Sequence, residues 1–172
     1  ERLRDKIRLA TRFLDNVVEL NRYPLPQIRE NTLRHRRIGL GIMGFSRMLY
    51  FMGVRYGNSE SYAIAEYLAA FISREARKTS MELGKEKGNF PGFKDSIWLK
   101  KYKSMRNATV TSIAPTGTIS MIADTSSGIE PVFSLSYLKR VAAGEFYYAE
   151  EAFEHVLKER RIYSTRLMQK VA

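Results

Sequence analysis

Apolar residues recur at Leu3, Ile7, Leu14 and Val17, with Ala10 between them. Spacings of three, four and seven are the period of one helical face, so a helix is predicted over residues 2–21, ended by Pro24 and Pro26. Residues 36–43 are short, apolar and interleaved with glycine, the pattern of a buried strand. A brief helix follows, with Phe45, Met48, Leu49 and Met52 on one side and Gly53 where a C-terminal cap is expected. Asn58 or Ser59 caps a long helix reaching about residue 83; its apolar positions are Ile64, Leu68, Phe71 and Ile72, and Ala65, Ala69 and Ala76 permit close packing. Gly84, Gly88 and Pro91-Gly92 break that helix into a loop, after which Ser96 caps a short helix holding Trp98 and Leu99. The β-branched run over 108–113 predicts a second strand, and 116–123 a short helix. Phe133, Leu135 and Tyr137 alternate with Ser134 and Ser136 as a third strand, and a final helix over 145–160 carries Phe146, Ala149, Phe153 and Val156.

Strands separated by helices argue for an α/β class built from parallel βα units. Three strands cannot close a barrel, and both faces of a parallel sheet need cover, so the expected architecture is an α/β piece with an unfinished sheet edge. The sequence shows no internal repeat and no low-complexity linker. Its 172 residues suffice for one domain or for part of a larger one.

Composition narrows the function. Hydrophobic residues make up 44 % and charged residues 27 %, ordinary for a soluble globular protein. No apolar run approaches the ~20 residues that span a bilayer, and no signal-peptide pattern is present, so no membrane partner is expected. The chain opens on Glu1-Arg2-Leu3-Arg4 within a helical pattern, as a fragment or processed piece would. It contains no cysteine, which excludes disulfides, thiolate metal sites and thiyl chemistry within this chain. His35 and His155 lie too far apart in sequence to propose a metal site and read as surface or interface residues. A reducing, cytoplasmic location is the expectation. Net charge is +11 with a pI near 9.9, a balance that attracts polyanions without specificity. The basic clusters 34–37, 100–103 and 158–161 are spread along the chain as solvated helix faces are, and nucleic acid is expected to bind only nonspecifically.

Candidate chemistry concentrates in Ala114-Pro115-Thr116-Gly117-Thr118-Ile119-Ser120-Met121, where the second predicted strand ends and a short helix begins. Unpaired backbone N–H groups at a helix start hold phosphate. Pro115 suits the entry of the turn, Gly117 lets a ligand approach the backbone, and Thr116, Thr118 and Ser120 add hydroxyl donors. Thr and Ser also cap helices without binding anything, so the local pattern leaves both readings open. A second candidate, Gly39-Leu40-Gly41-Ile42-Met43-Gly44, is a literal G-x-G-x-x-G that can cradle a dinucleotide pyrophosphate. That mechanism wants an acidic residue about 20 positions on, at a strand end. Glu60 and Glu66 fall in a helical pattern instead, so close strand–helix packing is the favoured role of these glycines. Glu130 beside Pro131 reads as a structural ion-pair partner, Tyr147-Tyr148 as packing, and Lys139 and Arg140 as charge near a phosphate or toward solvent.

Three segments in order carry a resemblance: Arg36-Arg37-Ile38-Gly39-Leu40-Gly41-Ile42-Met43-Gly44-Phe45, the 114–121 segment, and Thr125-Ser126-Ser127-Gly128-Ile129-Glu130-Pro131-Val132-Phe133. Over Asn31–Val141 the chain resembles the large (α) subunit of ribonucleotide reductases, and Pro-Thr-Gly-Thr-Ile-Ser is most similar to the adenosylcobalamin-dependent class. The resemblance implies that residues 1–172 are the C-terminal portion of the catalytic domain, a fragment of a ten-stranded α/β barrel. It implies that Pro115, Thr116, Gly117, Thr118, Ile119 and Ser120 bind substrate phosphates, that 39–44 forms a barrel strand and turn, and that 128–131 lines the following loop. The implied reaction makes deoxyribonucleotides by radical chemistry, with adenosylcobalamin in the parent enzyme and no cofactor bound by this chain alone. The implied partners are a ribonucleoside diphosphate or triphosphate, the remainder of the α subunit, and a second copy in a homodimer of the parent. The required cysteines are all absent from this chain and the Asn-x-Cys-x-Glu catalytic segment is expected upstream of residue 1, leaving this piece to orient phosphates and inactive in isolation. Two other classes remain as alternatives: a basic nucleic-acid-binding module, and a dinucleotide-binding oxidoreductase using Gly39, Gly41 and Gly44.

Overall fold

A computed structural model describes residues 1–141 and 144–172. The chain forms two compact units, one of residues 1–41 and 62–114, the other of 42–61 and 115–172. Its elements are α1 (Arg2–Leu20), α2 (Pro26–His35), α3 (Phe45–Phe51), α4 (Ser59–Lys87), two 3-10 turns (Pro91–Asp95 and Ile97–Lys100), α5 (Gly117–Ile122), β1 (Ser136–Val141), β2 (Gly144–Ala149), α6 (Glu151–Glu159) and α7 (Thr165–Val171).

In the first unit α1 matches its predicted span, but the buried stripe is Ile7, Thr11 and Asp15. Leu3 and Val17, predicted core residues, are about half exposed. The reason is a buried polar centre on Asp15, whose carboxylate accepts from Arg36 Nε at 3.1 Å and Nη2 at 2.9 Å and from Asn107 Nδ2 at 3.0 Å. Arg106 and Lys87 add charge at 3.4 and 3.8 Å. Arg4, Arg8 and Arg12 of α1 reach Glu75, Glu82 and Glu86 of α4 as successive rungs. Pro26 does not merely end a helix; it opens α2 at the first helical position, where its missing N–H and fixed φ cost nothing. The apolar centre is Phe90, Phe93 and Met105. Here Gly84 lets α4 approach the chain at 105, since a Cβ would stand 2.9 Å from Met105 N.

The predicted strands 36–43 and 108–113 reduce to a short parallel ladder. Ile38 and Leu40 amides donate to Thr109 and Val110 carbonyls, the Ser112 amide donates to Leu40, and only Leu40 and Thr111 form a bridge. The parallel direction agrees with the βα reading, while Gly39 and Gly41 keep the segment from extending as a regular strand.

The second unit departs further from expectation. The third strand begins at Ser136 rather than 133, and 144–149, of which 145–149 is predicted helical, is a strand antiparallel to it, in register from Ser136↔Ala149 to Val141↔Gly144. Aromatic residues favour a pleated surface, and Tyr137 stacks on its cross-strand partner Tyr148 with ring centroids 5.3 Å apart. The last predicted helix therefore starts at Glu151. Caps are as the sequence indicates: the Asn58 carboxamide accepts from the Ser61 amide at 2.8 Å, and Gly53 sits beyond α3 with φ +70°. Phe45, Leu49, Val54, Ala152, Leu157 and Met168 are buried. No helix among the described residues is long and apolar enough to cross a membrane.

Candidate functional site

The 114–121 segment leads into α5 through Thr116, whose φ of −57° and ψ of 38° mark the turn. The Gly117 amide folds back on the Pro115 carbonyl, and the Ser120 amide donates to the Thr116 carbonyl at 2.9 Å. Between them, the amides of Thr118 and Ile119 have no acceptor among the described residues, as the first turn of a helix dictates. Both residues are exposed, and a Cβ added at Gly117 would meet nothing within 4 Å. Two donors thus stand over open space at the positive end of a short helix.

The hydroxyls divide the labour. Thr116 Oγ1 accepts from the Gly128 amide at 2.7 Å and lies 3.2 Å from Ser127 Oγ, tying the loop to the 125–133 segment. Ser120 is buried and donates to the Gly117 carbonyl at 2.9 Å. Of the three predicted hydroxyl donors, only that of Thr118 is uncommitted among the described residues. Pro115 is exposed at the turn entry. A cavity of about 730 Å³ adjoins the loop, with Gly117 and Ser120 in its wall; Pro115, Thr116, Thr118 and Ile119 lie outside it. Glu130 and Phe133 also line it, and the Glu130 carboxylate makes no ion pair among the described residues, contrary to the structural role expected for it.

Sequence reasoning overlooked Arg47. Its guanidinium bonds Glu150 Oε1 at 2.7 Å and Oε2 at 3.3 Å and also donates to the Asp124 carbonyl, while the Arg47 amide donates to Ser126 Oγ at 3.3 Å. Burial works against the charge, but the hydrogen bond to Glu150, aided by the charges of Glu150, Asp124 and Glu151, raises the Arg47 pKa above its ordinary value. Arg47 is therefore a clamp on the 124–128 loop rather than a free cation. A partner 103 residues away leaves no local signal, though one of its anchors, Ser126, lies in the recognised 125–133 segment.

The glycine motif is used for packing. A Cβ at Gly39 would stand 2.6 Å from Ser112 Cβ, one at Gly41 2.7 Å from the Ser112 carbonyl oxygen, and one at Gly44 2.5 Å from Thr125 Oγ1. At the start of α3 the Gly44 amide donates to the Ser126 carbonyl at 2.8 Å and the Phe45 amide to that of Gly128 at 3.4 Å. Those donors are spent on protein, which overturns the dinucleotide alternative. Tyr147 bonds Ser136 through its hydroxyl and Tyr148 stacks on Tyr137, so the pair packs the hairpin. Arg140 pairs with Glu145 in solvent; the Lys139 side chain lies outside the described ones. His155 is exposed beside Glu159, His35 is half-buried and bonds the Asn31 carbonyl, and no group of three metal-ligating side chains occurs among the described residues.

Comparison with known proteins explains the arrangement. The family described as the ribonucleotide reductase barrel domain matches residues 1–105 and 99–172. The chain belongs to the ribonucleotide reductase family. It is 44 % identical over 173 residues to the vitamin B12-dependent ribonucleoside-diphosphate reductase of Thermoplasma acidophilum, covering all of this chain and 22 % of that protein. The protein of the same description from Mycobacterium tuberculosis is 37 % identical over 172 residues, again over the whole chain and 25 % of the relative. The chain thus spans about a quarter of the length of these relatives. Among solved structures, the alpha subunit of the class Id ribonucleotide reductase of Actinobacillus ureae superposes with a TM-score of 0.80 at 23 % identity, over 96 % of this chain and 30 % of that one, a likeness of fold. In this setting the parallel ladder and the helices around it are a piece of the reductase barrel domain, with little sheet of its own.

Proposed function

We propose that residues 1–172 are the C-terminal portion of the catalytic barrel of a ribonucleotide reductase α subunit, and that the 115–120 loop binds the phosphates of its ribonucleotide substrate. The observation that carries this reading is the pair of unpaired amides at Thr118 and Ile119 beside an unobstructed Gly117, in a chain of this family. Pro115 shapes the turn, Thr116 and Ser120 hold the loop through their own hydrogen bonds, and the amides with the Thr118 hydroxyl face the phosphate. Fixing the phosphates orients the ribose for the radical reaction that removes its 2′-hydroxyl, and such positioning lowers a barrier by several kcal/mol. Because this chain has no cysteine, the thiyl and dithiol chemistry belongs to the remainder of the parent subunit. The substrate class is a ribonucleoside diphosphate or triphosphate, the assembly a homodimer of the parent, and the location the cytoplasm.

Adenosylcobalamin is proposed for the parent on the names of the two relatives described as vitamin B12-dependent. Of the described residues, those lining the 730 Å³ cavity include Arg47, Ser120, Glu130 and Phe133, a wall with no feature particular to a corrin, and none of them is given a part in holding the cofactor.

Replacing Gly117 by Ala tests the site, because the added methyl meets no protein atom and leaves folding intact. In the parent reductase the KM for a ribonucleoside diphosphate should rise roughly tenfold, about 1.4 kcal/mol, with an unchanged melting temperature. An unchanged KM would remove phosphate binding from this loop.

A further inference from the structure

On the first unit, α4 and the turn at 97–103 enclose a groove of about 440 Å³ lined by Ser73, Arg74, Arg77, Lys78 and Tyr102. Arg77 is its centre. It is half-buried, donates to Tyr102 Oη at 3.2 Å and Ser73 Oγ at 3.3 Å, and has no carboxylate within ion-pair distance among the described residues. A half-buried guanidinium without a counter-ion is unusual, since buried charge is normally paired. Two aromatic rings take the carboxylate's place: the guanidinium carbon lies 5.5 Å from the Trp98 centroid and 5.9 Å from that of Tyr102. Lys101 covers Trp98 as well, at 5.7 Å. Trp98 is fixed by donating its indole N–H to the Ala108 carbonyl at 2.8 Å, so the platform holding Arg77 is rigid. Lys78 and Lys101 likewise form no ion pair among the described residues, whereas Arg74 is already engaged with Glu75 at 3.6 Å.

We infer that this groove is a binding site for a small multiply charged phosphate anion, separate from the 115–120 loop. Arg77 uses one fork of its guanidinium on two hydroxyls and keeps N–H donors for a bidentate phosphate contact. Lys78 supplies a second charge, and the Tyr102 hydroxyl, accepting from Arg77, keeps its own proton to donate. Two unpaired cations in one small groove, Arg77 and Lys78, match a di- or triphosphate better than a single carboxylate, which neutralises only one of them. A single-stranded nucleic acid needs free aromatic faces on which bases stack; here Arg77 and Lys101 cover them, so the rings serve to aim cations.

Trp98 is the chain's one tryptophan and reports directly on Arg77. The test titrates the 172-residue chain with inorganic tripolyphosphate at fixed ionic strength while following tryptophan fluorescence, with sodium sulfate as the matched anion. A saturable change is expected, with a midpoint about tenfold higher in Arg77→Gln and in between for Arg77→Lys, the size of one charged hydrogen-bonded contact. Lys170→Gln, on an exposed residue of α7, should leave the midpoint unchanged, and far-UV circular dichroism should show all variants folded alike. Equal midpoints for wild type and Arg77→Gln would overturn the proposal. So would an equal weakening by Lys170→Gln, or a sulfate response matching that of tripolyphosphate, since either reduces the effect to net charge.

Discussion

Truncating Asp15 to Ala should be among the most damaging single changes in the first unit. The Asp15 side chain is 1 % exposed and that of Arg36 4 %, so the pair is out of water. Removing the carboxylate deletes three hydrogen bonds of 2.9–3.1 Å, to Arg36 twice and to Asn107 once, and weakens the hold on Arg106 and Lys87. Arg36 would keep Glu19 at 2.7 Å and the Asp15 main-chain carbonyl at 3.1 Å, but Glu19 is 58 % exposed and compensates a buried charge poorly. Breaking a buried pair in this way costs about 3–5 kcal/mol, a large share of the roughly 5–15 kcal/mol that stabilises a domain. In urea, with a slope of about 2 kcal/mol per molar, the midpoint should fall by roughly 2 M. The double replacement Asp15→Leu with Arg36→Met should recover most of the loss, because the desolvation cost of both charges disappears together. Arg106 would retain Glu19 and the carbonyls of Lys87 and Gly88, and Lys87 would retain Asn16. A loss below about 1 kcal/mol for Asp15→Ala, the worth of one ordinary hydrogen bond, would refute the reasoning.

Glu150→Ala should destabilise the second unit by about 3 kcal/mol, since Arg47 loses its bidentate partner, and hydrogen exchange at residues 124–128 should accelerate; unchanged protection there would mean Arg47 is not the clamp. Gly44→Ala combines a φ of +81° with a contact of 2.5 Å to Thr125 and should cost about 1–3 kcal/mol, more than Gly53→Ala, where φ is +70° but no atom lies within 4 Å; equal melting temperatures would contradict this. Burial, then the neighbouring Tyr148, pushes the Tyr137 hydroxyl above its ordinary 10.0. Its neutral form therefore contributes stability that is complete below pH 10 and is lost as pH climbs through the raised value. Ultraviolet titration should show one late-ionising tyrosine that Tyr137→Phe removes, and an identical curve for that variant would rule the assignment out.

Helix periodicity and capping chemistry made α1, α3 and α4 readable, because those signals act within a few residues of the chain. The face that α1 buries was not readable: Thr11 and Asp15 look solvent-facing until Arg36, Arg106 and Asn107 arrive from distant positions. The hairpin was misread for a related reason. Phe146, Ala149, Phe153 and Val156 fit a helical period, but 144–149 is decided by pairing with β1 rather than by its own periodicity. At the site, Gly117 and its neighbouring threonines announce themselves locally. The Arg47–Glu150 clamp does not, since a chain with 29 basic and 18 acidic residues offers many such pairs and the sequence ranks none.

The phosphate assignment is tested most directly by an amide-resolved NMR titration of the chain with a ribonucleoside diphosphate at two salt concentrations. Shifts centred on Gly117, Thr118 and Ile119 that persist at the higher salt are the predicted result. Diffuse shifts over the basic clusters that vanish with salt, with the 117–119 amides unmoved, would contradict it.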